Sequence, residues 1–119
     1  MNRVTKTNSN NMARIDYNSI WQKIADLAKK DVKDYVSQAT QDGKDFVKKT
    51  QVKFESYVEQ LAKGEIDEDD FKDNVLNLAA LADMERLKQE ELAQVAIDQF
   101  TNGVMDILID AGLSAIKVG

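Results

Sequence analysis

The sequence predicts an all-α fold: a long antiparallel helical hairpin with an eleven-residue seam, pairing as a homodimer into a four-helix bundle. Three observations carry that expectation. The 119 residues contain no proline, the residue most hostile to a helix interior, where average usage of roughly 5% would supply about six. Apolar and aromatic residues recur at 4, 3, 4 spacing through 17–61, a helical period with no alternation of the strand type. Two places repeat one helix-start device, an aspartate flanked by apolar residues five apart.

The first dozen residues are rich in Asn, Ser and Thr and lack an apolar run, so 1–14 is expected to be a disordered arm and not a signal peptide. Met1 and Met12 both suit a natural start. The hairpin domain is expected over 15–119. Its first helix, 16–63, opens on Asp16 as N-cap, with Ile15 and Ile20 as the hydrophobic staple.

Within that helix Lys33-Asp34-Tyr35-Val36 is echoed by Lys44-Asp45-Phe46-Val47 and then by Glu55-Ser56-Tyr57-Val58. The echo makes rows of related residues. One is Tyr17, Ala28, Ala39, Thr50 and Leu61; a second is Trp21, Val32, Gly43 and Phe54; a third is Ile24, Tyr35, Phe46 and Tyr57. Eleven residues in three turns stay on one face of a nearly straight helix. A seam of about 45 residues would then extend on the order of 70 Å. Asp42-Gly43 is the alternative break, but Gly43 falls in phase with its row, and a lone helical glycine costs only about 1 kcal/mol relative to alanine.

Similar eleven-residue periodicities occur in late-embryogenesis-abundant proteins, exchangeable apolipoproteins and synucleins, and "KDYVSQATQDGKDFV" resembles the first of these. The resemblance is one of repeat type over roughly a quarter of the chain. It implies no activity, and the seam here is aromatic where those chains are poor in aromatics.

A turn at 64–66 follows, with Gly64 suited to the left-handed position after a helix. The second helix, 67–117, opens on Asp67, with Glu68, Asp69 and Asp70 in the first turn and Ile66 and Phe71 as staple. The acids begin like a calcium loop, but Lys72 and Leu78 stand where that motif needs glycine and glutamate. Breaks are expected near 88–91, where "ERLKQEE" is polar, or near Asn102-Gly103. The stretch after Ala93 carries a second apolar row, Met105, Ile109, Gly112 and Ile116, beside the first. Leu76, Met84 and Leu87 extend a similar flank upstream. A helix apolar over most of its circumference needs more than one neighbour, so these seven residues are the expected oligomer or partner interface. Asn102, Asp106, Asp110, Ser114 and Lys117 form the strip left for water.

Chemistry is thinly represented. Histidine and cysteine are absent, which removes the usual general base, the commonest metal ligand and any disulfide. Asp106 and Asp110 lie one turn apart and read as solvated charges; Glu85, Glu90 and Glu91 read the same way. The five glycines are scattered singly, so no phosphate loop is present. Trp21 and the tyrosines, at helical spacing on one face, are expected in the core.

Residues 1–63 hold twelve basic against eight acidic side chains, and 64–119 hold four against thirteen. The acidic half argues against nucleic acid as a partner. The expected function is therefore a non-enzymatic, cytoplasmic interaction protein without cofactor or metal, binding a second copy of itself and an unidentified protein. A peripheral coat on a lipid or other apolar surface is the alternative.

Overall fold

The computed structural model describes residues 15–118, with side chains through Ile116. The expected arm at 1–14 lies outside the described residues. Among the described residues there are five α-helices: α1 (Tyr17–Asp31), α2 (Val36–Ala62), α3 (Glu68–Asn77), α4 (Glu85–Gln89) and α5 (Gln94–Val118). Short 3-10 segments, Lys33–Tyr35 and Leu78–Leu81, join α1 to α2 and continue α3. No strand occurs among the described residues, as the period predicted. No helix among them is long and apolar enough to cross a membrane.

The predicted helix ends are present in detail. The Asp16 carboxylate accepts from the Ser19 amide at 3.1 Å, while Ile20 is buried and Ile15 packs against the core. Asp67 and Asp70 form a reciprocal capping box, each carboxylate accepting the other's backbone N–H at 2.8 and 3.2 Å. Gly64 takes φ +76. The Glu65 amide bonds the Gln60 carbonyl at 2.9 Å and the Gly64 amide bonds the Leu61 carbonyl at 3.1 Å, the paired closure that satisfies the last carbonyls of a helix.

The rod expected over 16–63 is corrected to two helices. It breaks at Val32, not at Gly43: Val32 and Tyr35 leave helical geometry with φ −138 and −134. Asp31, Val32 and Asp34 are weak helix formers. The reversal keeps its backbone bonded through Val32 N–H to Ala28 O at 2.9 Å and Tyr35 N–H to Val32 O at 2.8 Å. The described residues extend 49 Å along their longest axis, well short of the rod once the chain folds back.

The seam rows still mark the buried faces. Ala28, Ala39 and Thr50, then Val32, Gly43 and Phe54, then Ile24 and Phe46 are all buried. Phase is preserved because the seam folds onto itself: a Cβ added to Gly43 would lie 2.8 Å from Ile24 Cγ2. This glycine therefore sits in mid-helix as the contact point for α1, where it reads from sequence as a potential breaker.

The second helix is also divided. Helix α3 gives way to the 3-10 turn and a non-helical stretch at 82–84, then α4, then a turn at Glu90 and Glu91. The expected break at 88–91 is thus present at that turn, and the one at 102–103 is not. Gly103 lies inside α5, where an added Cβ would meet Leu27 Cδ2 at 2.6 Å.

Pairwise contacts set the directions. Ile24 with Gly43 and Tyr17 with Glu55 make α1 antiparallel to α2. Phe71 with Phe54, Lys49 with Asp83, and Gln38 with Glu90 make 68–90 antiparallel to α2 as well. Phe100 with Gly43 and Val58 with Gly112 make α5 run parallel to it. The chain thereby lays four runs side by side around a core of Ile20, Ile24, Phe46, Phe54, Phe71, Leu87, Phe100 and Leu108.

Candidate functional site

Polar side chains meet most densely where α2 faces 82–93. Four residues of α2, Gln38, Asp42, Asp45 and Lys49, repeat the 4, 3, 4 spacing of the seam, displaced by one residue. That spacing stacks them in one row at the edge of the buried face. Each holds a residue of the opposite segment. Gln38 Nε2 donates to Glu90 Oε2 at 3.1 Å. Arg86 Nη1 donates to Asp42 Oδ1 at 3.1 Å and to Asp45 Oδ2 at 2.7 Å. Lys49 Nζ donates to Asp83 Oδ2 at 3.1 Å and to the Leu81 carbonyl at 3.0 Å.

Asp42 is the centre of this row. It is 4% exposed, and a buried carboxylate must be fully bonded to be tolerated. Beyond the Arg86 side chain it accepts from the Arg86 amide at 3.2 Å and the Leu87 amide at 2.9 Å. These are unsatisfied donors of the first turn of α4, whose own cap residue, Met84, offers no side-chain bond. Asp42 thus caps α4 from a different helix. Both amides point at a negative charge, the arrangement that strengthens such bonds and suits a helix N-terminus.

The electrostatics follow. The Arg86 hydrogen bond, then that of Gln41, holds the Asp45 carboxyl below its ordinary range. Asp45 and then Asp42 raise the Arg86 guanidinium in turn. At the far end of the α1–α2 pair, burial first and then the Glu55 carboxylate, 2.5 Å from its hydroxyl, push the Tyr17 phenol well above its usual value.

Two residues flanking α4 take left-handed backbone conformations without being glycine: Met84 at φ 46 and Glu91 at φ 60. Each costs roughly 1–2 kcal/mol relative to right-handed backbone, a cost offset by the burial of Met84 and Leu87. Clefts open on both sides of this segment. One of about 440 Å³ is lined by Asp45, Phe46, Lys49, Met84 and Arg86. The other, about 330 Å³, is lined by Met84, Lys88, Ile97, Asp98 and Thr101. On the rim of the first, Arg86 and Lys49 already bond carboxylates, and on the rim of the second Gln94 donates to Asp98 at 2.9 Å. Among the described residues no three potential ligands converge as a metal site would need.

The seven expected interface residues fall differently from expectation. Met84, Leu87, Met105, Ile109 and Gly112 are buried within the single chain, and Ile116 is half-buried against the core. Only Leu76 is open, at 44% exposure. The second apolar row of α5 is covered by the chain's own folding-back: Phe71 of α3 and Val58 of α2 reach Gly112, and Leu27 of α1 reaches Gly103. Asn102, Asp106, Asp110 and Ser114 are exposed, as the water-facing strip requires; the Lys117 side chain lies outside the described residues. Tyr17 and Trp21 pack together with ring centroids 5.8 Å apart, against the core.

Sequence reasoning missed Asp42, Asp45 and Arg86. The available signal was the second 4, 3, 4 row, polar where the first is apolar, but Asp42 entered the reading only as half of the alternative break at Asp42-Gly43. Comparison with protein-family models, with curated proteins and with solved structures gives no match for this chain.

Proposed function

We propose that this chain is a non-enzymatic interaction protein, a helical domain that offers a surface to a protein partner in the cytoplasm. The observation that carries the reading is an apolar edge left outside the core. Leu76 is 44% and Leu81 38% exposed, with Ala80 exposed between them. Single exposed apolar residues are ordinary on protein surfaces. Three within six residues of α3 and its 3-10 extension, Leu76 and Ala80 one turn apart and Leu81 at the rim of the cleft facing α2, form a short exposed apolar stretch of the kind that helix-binding partners cover. A second copy of the chain is the simplest such partner, since a two-fold contact needs only a self-complementary patch.

The lipid-coat alternative draws less support. It needs the eleven-residue seam free to lie on an interface, and the seam's residues are committed to the core.

The test is the variant Leu76→Glu/Leu81→Glu, first shown by circular dichroism to keep its helix content and melting temperature. Concentration-dependent dimerisation by light scattering, or capture of a protein from native extract, that is present in the wild type and lost in this variant supports the proposal. Binding that survives the variant, or a wild type that stays monomeric and captures nothing, overturns it.

A further inference from the structure

We propose that residues 82–93 form a hinged strap that lifts off α2 as a unit while the longer helices stay packed, with Asp42 as its latch. This proposal stands independently of any partner.

Four features of the segment point the same way. Its helix is flanked on both sides by left-handed non-glycine residues, Met84 and Glu91, and such residues persist only where surrounding contacts hold them. Both sides are undercut by the clefts described above, and Met84 lines the two of them. Its helix is five residues long, too short to be stable without outside support. Its polar ties all run to one row of one helix, Gln38, Asp42, Asp45 and Lys49 of α2.

Ties of this kind release together. Asp42 alone accepts three bonds, two from backbone amides of α4. Losing them removes the cap and one of the two carboxylates that hold Arg86, leaving Asp45 alone on its guanidinium. The α1, α2, α3 and α5 contacts through Ile24, Gly43, Phe71 and Gly112 do not pass through the strap. Opening therefore leaves most of the core intact. What it bares is apolar: Phe46 on one side of Met84 and Ile97 on the other.

Native-state amide hydrogen exchange on the full chain tests this. The Leu87 amide is the reporter, because its acceptor is the Asp42 side chain and not a helix carbonyl. In the wild type, amides of Leu87, Lys88, Glu90 and Glu91 are expected to exchange at least tenfold faster than those of Val47 and Val104. Their rate should be nearly independent of low urea, the mark of local opening. Asp42→Asn should speed the strap amides a further tenfold or more and leave Val47 and Val104 within twofold. Asp83→Asn, at the exposed pair with Lys49, is the milder variant should Asp42→Asn fold poorly, and should speed the same amides about twofold. Strap amides that exchange in step with the core overturn the proposal. So does acceleration by both variants that is absent, or shared equally by the core.

Discussion

Gly112→Ala distinguishes a core position from an interface position by the sign of its effect. On a helix face open to solvent or awaiting a partner, alanine would stabilise the monomer by about 1 kcal/mol, through lower backbone entropy in the unfolded chain and better helix propensity. Here the added Cβ would stand 2.4 Å from Phe71 Cζ, 3.1 Å from Phe71 Cε2 and 3.3 Å from Val58 Cγ2. Carbon atoms pack best at roughly 3.5–4.0 Å, so the Phe71 ring must retreat by about 1 Å. It has nowhere open to go: Phe71 is fully buried and its ring lies 6.4 Å from that of Phe54. Overpacking of this kind costs about 1–3 kcal/mol, and a contact this short belongs at the upper end. After subtracting the propensity gain, the variant should lose about 2 kcal/mol. That corresponds to a fall in melting temperature on the order of 10 °C for a domain near this size. Urea unfolding followed by circular dichroism measures it, as a lower midpoint at unchanged slope. Phe71→Leu in the alanine background should show a coupling of at least about 1 kcal/mol in a double-mutant cycle. A Gly112→Ala protein as stable as the wild type, or more so, would refute the packing of α5 against α3 and restore Gly112 to an outer face.

Three further outcomes are expected. Asp67→Ala removes half of the capping box at the start of α3 and should lower stability by about 1 kcal/mol in the same urea assay; no change would mean the cap is replaced by water without loss. Glu91→Gly places glycine at an exposed left-handed residue, relieving roughly 1–2 kcal/mol of backbone cost against about 0.5–1 kcal/mol of added chain entropy. Its melting temperature should rise by a few degrees, and a fall would contradict the turn geometry. Asp45 is held below the ordinary carboxylate range by Arg86. Its contribution is therefore complete above the unfolded value near pH 4 and is lost as pH falls through the lower folded value. Because the side chain is half exposed, that contribution should stay below about 1 kcal/mol. Urea midpoints of wild type and Asp45→Asn should run parallel above pH 5 and converge only below pH 4. Convergence at pH 6 would remove the Arg86 contact from the account.

The sequence alone determined helix content, three of the helix ends and the inward faces of α1 and α2. These depend on short-range physics. Capping at Asp16 and Asp67 and the left-handed Gly64 are decided by a handful of neighbouring residues, and a period of 3.67 fixes which side chains share a face whatever they later meet. Tertiary structure decided what those faces touch. Gly43, Gly103 and Gly112 read as weak points or as part of an outer row, yet each admits a side chain from another helix, and close approach is visible only once the partner is in place. The reversal at Val32 has no glycine or proline to announce it. It follows from the burial gained when Ile24 meets Gly43, a term that belongs to two distant segments jointly. Asp42 makes the same point for polar groups. Its row is periodic in the sequence, but its role as the cap of α4 exists only because the chain returns antiparallel along α2 and delivers two amides that nothing local can satisfy.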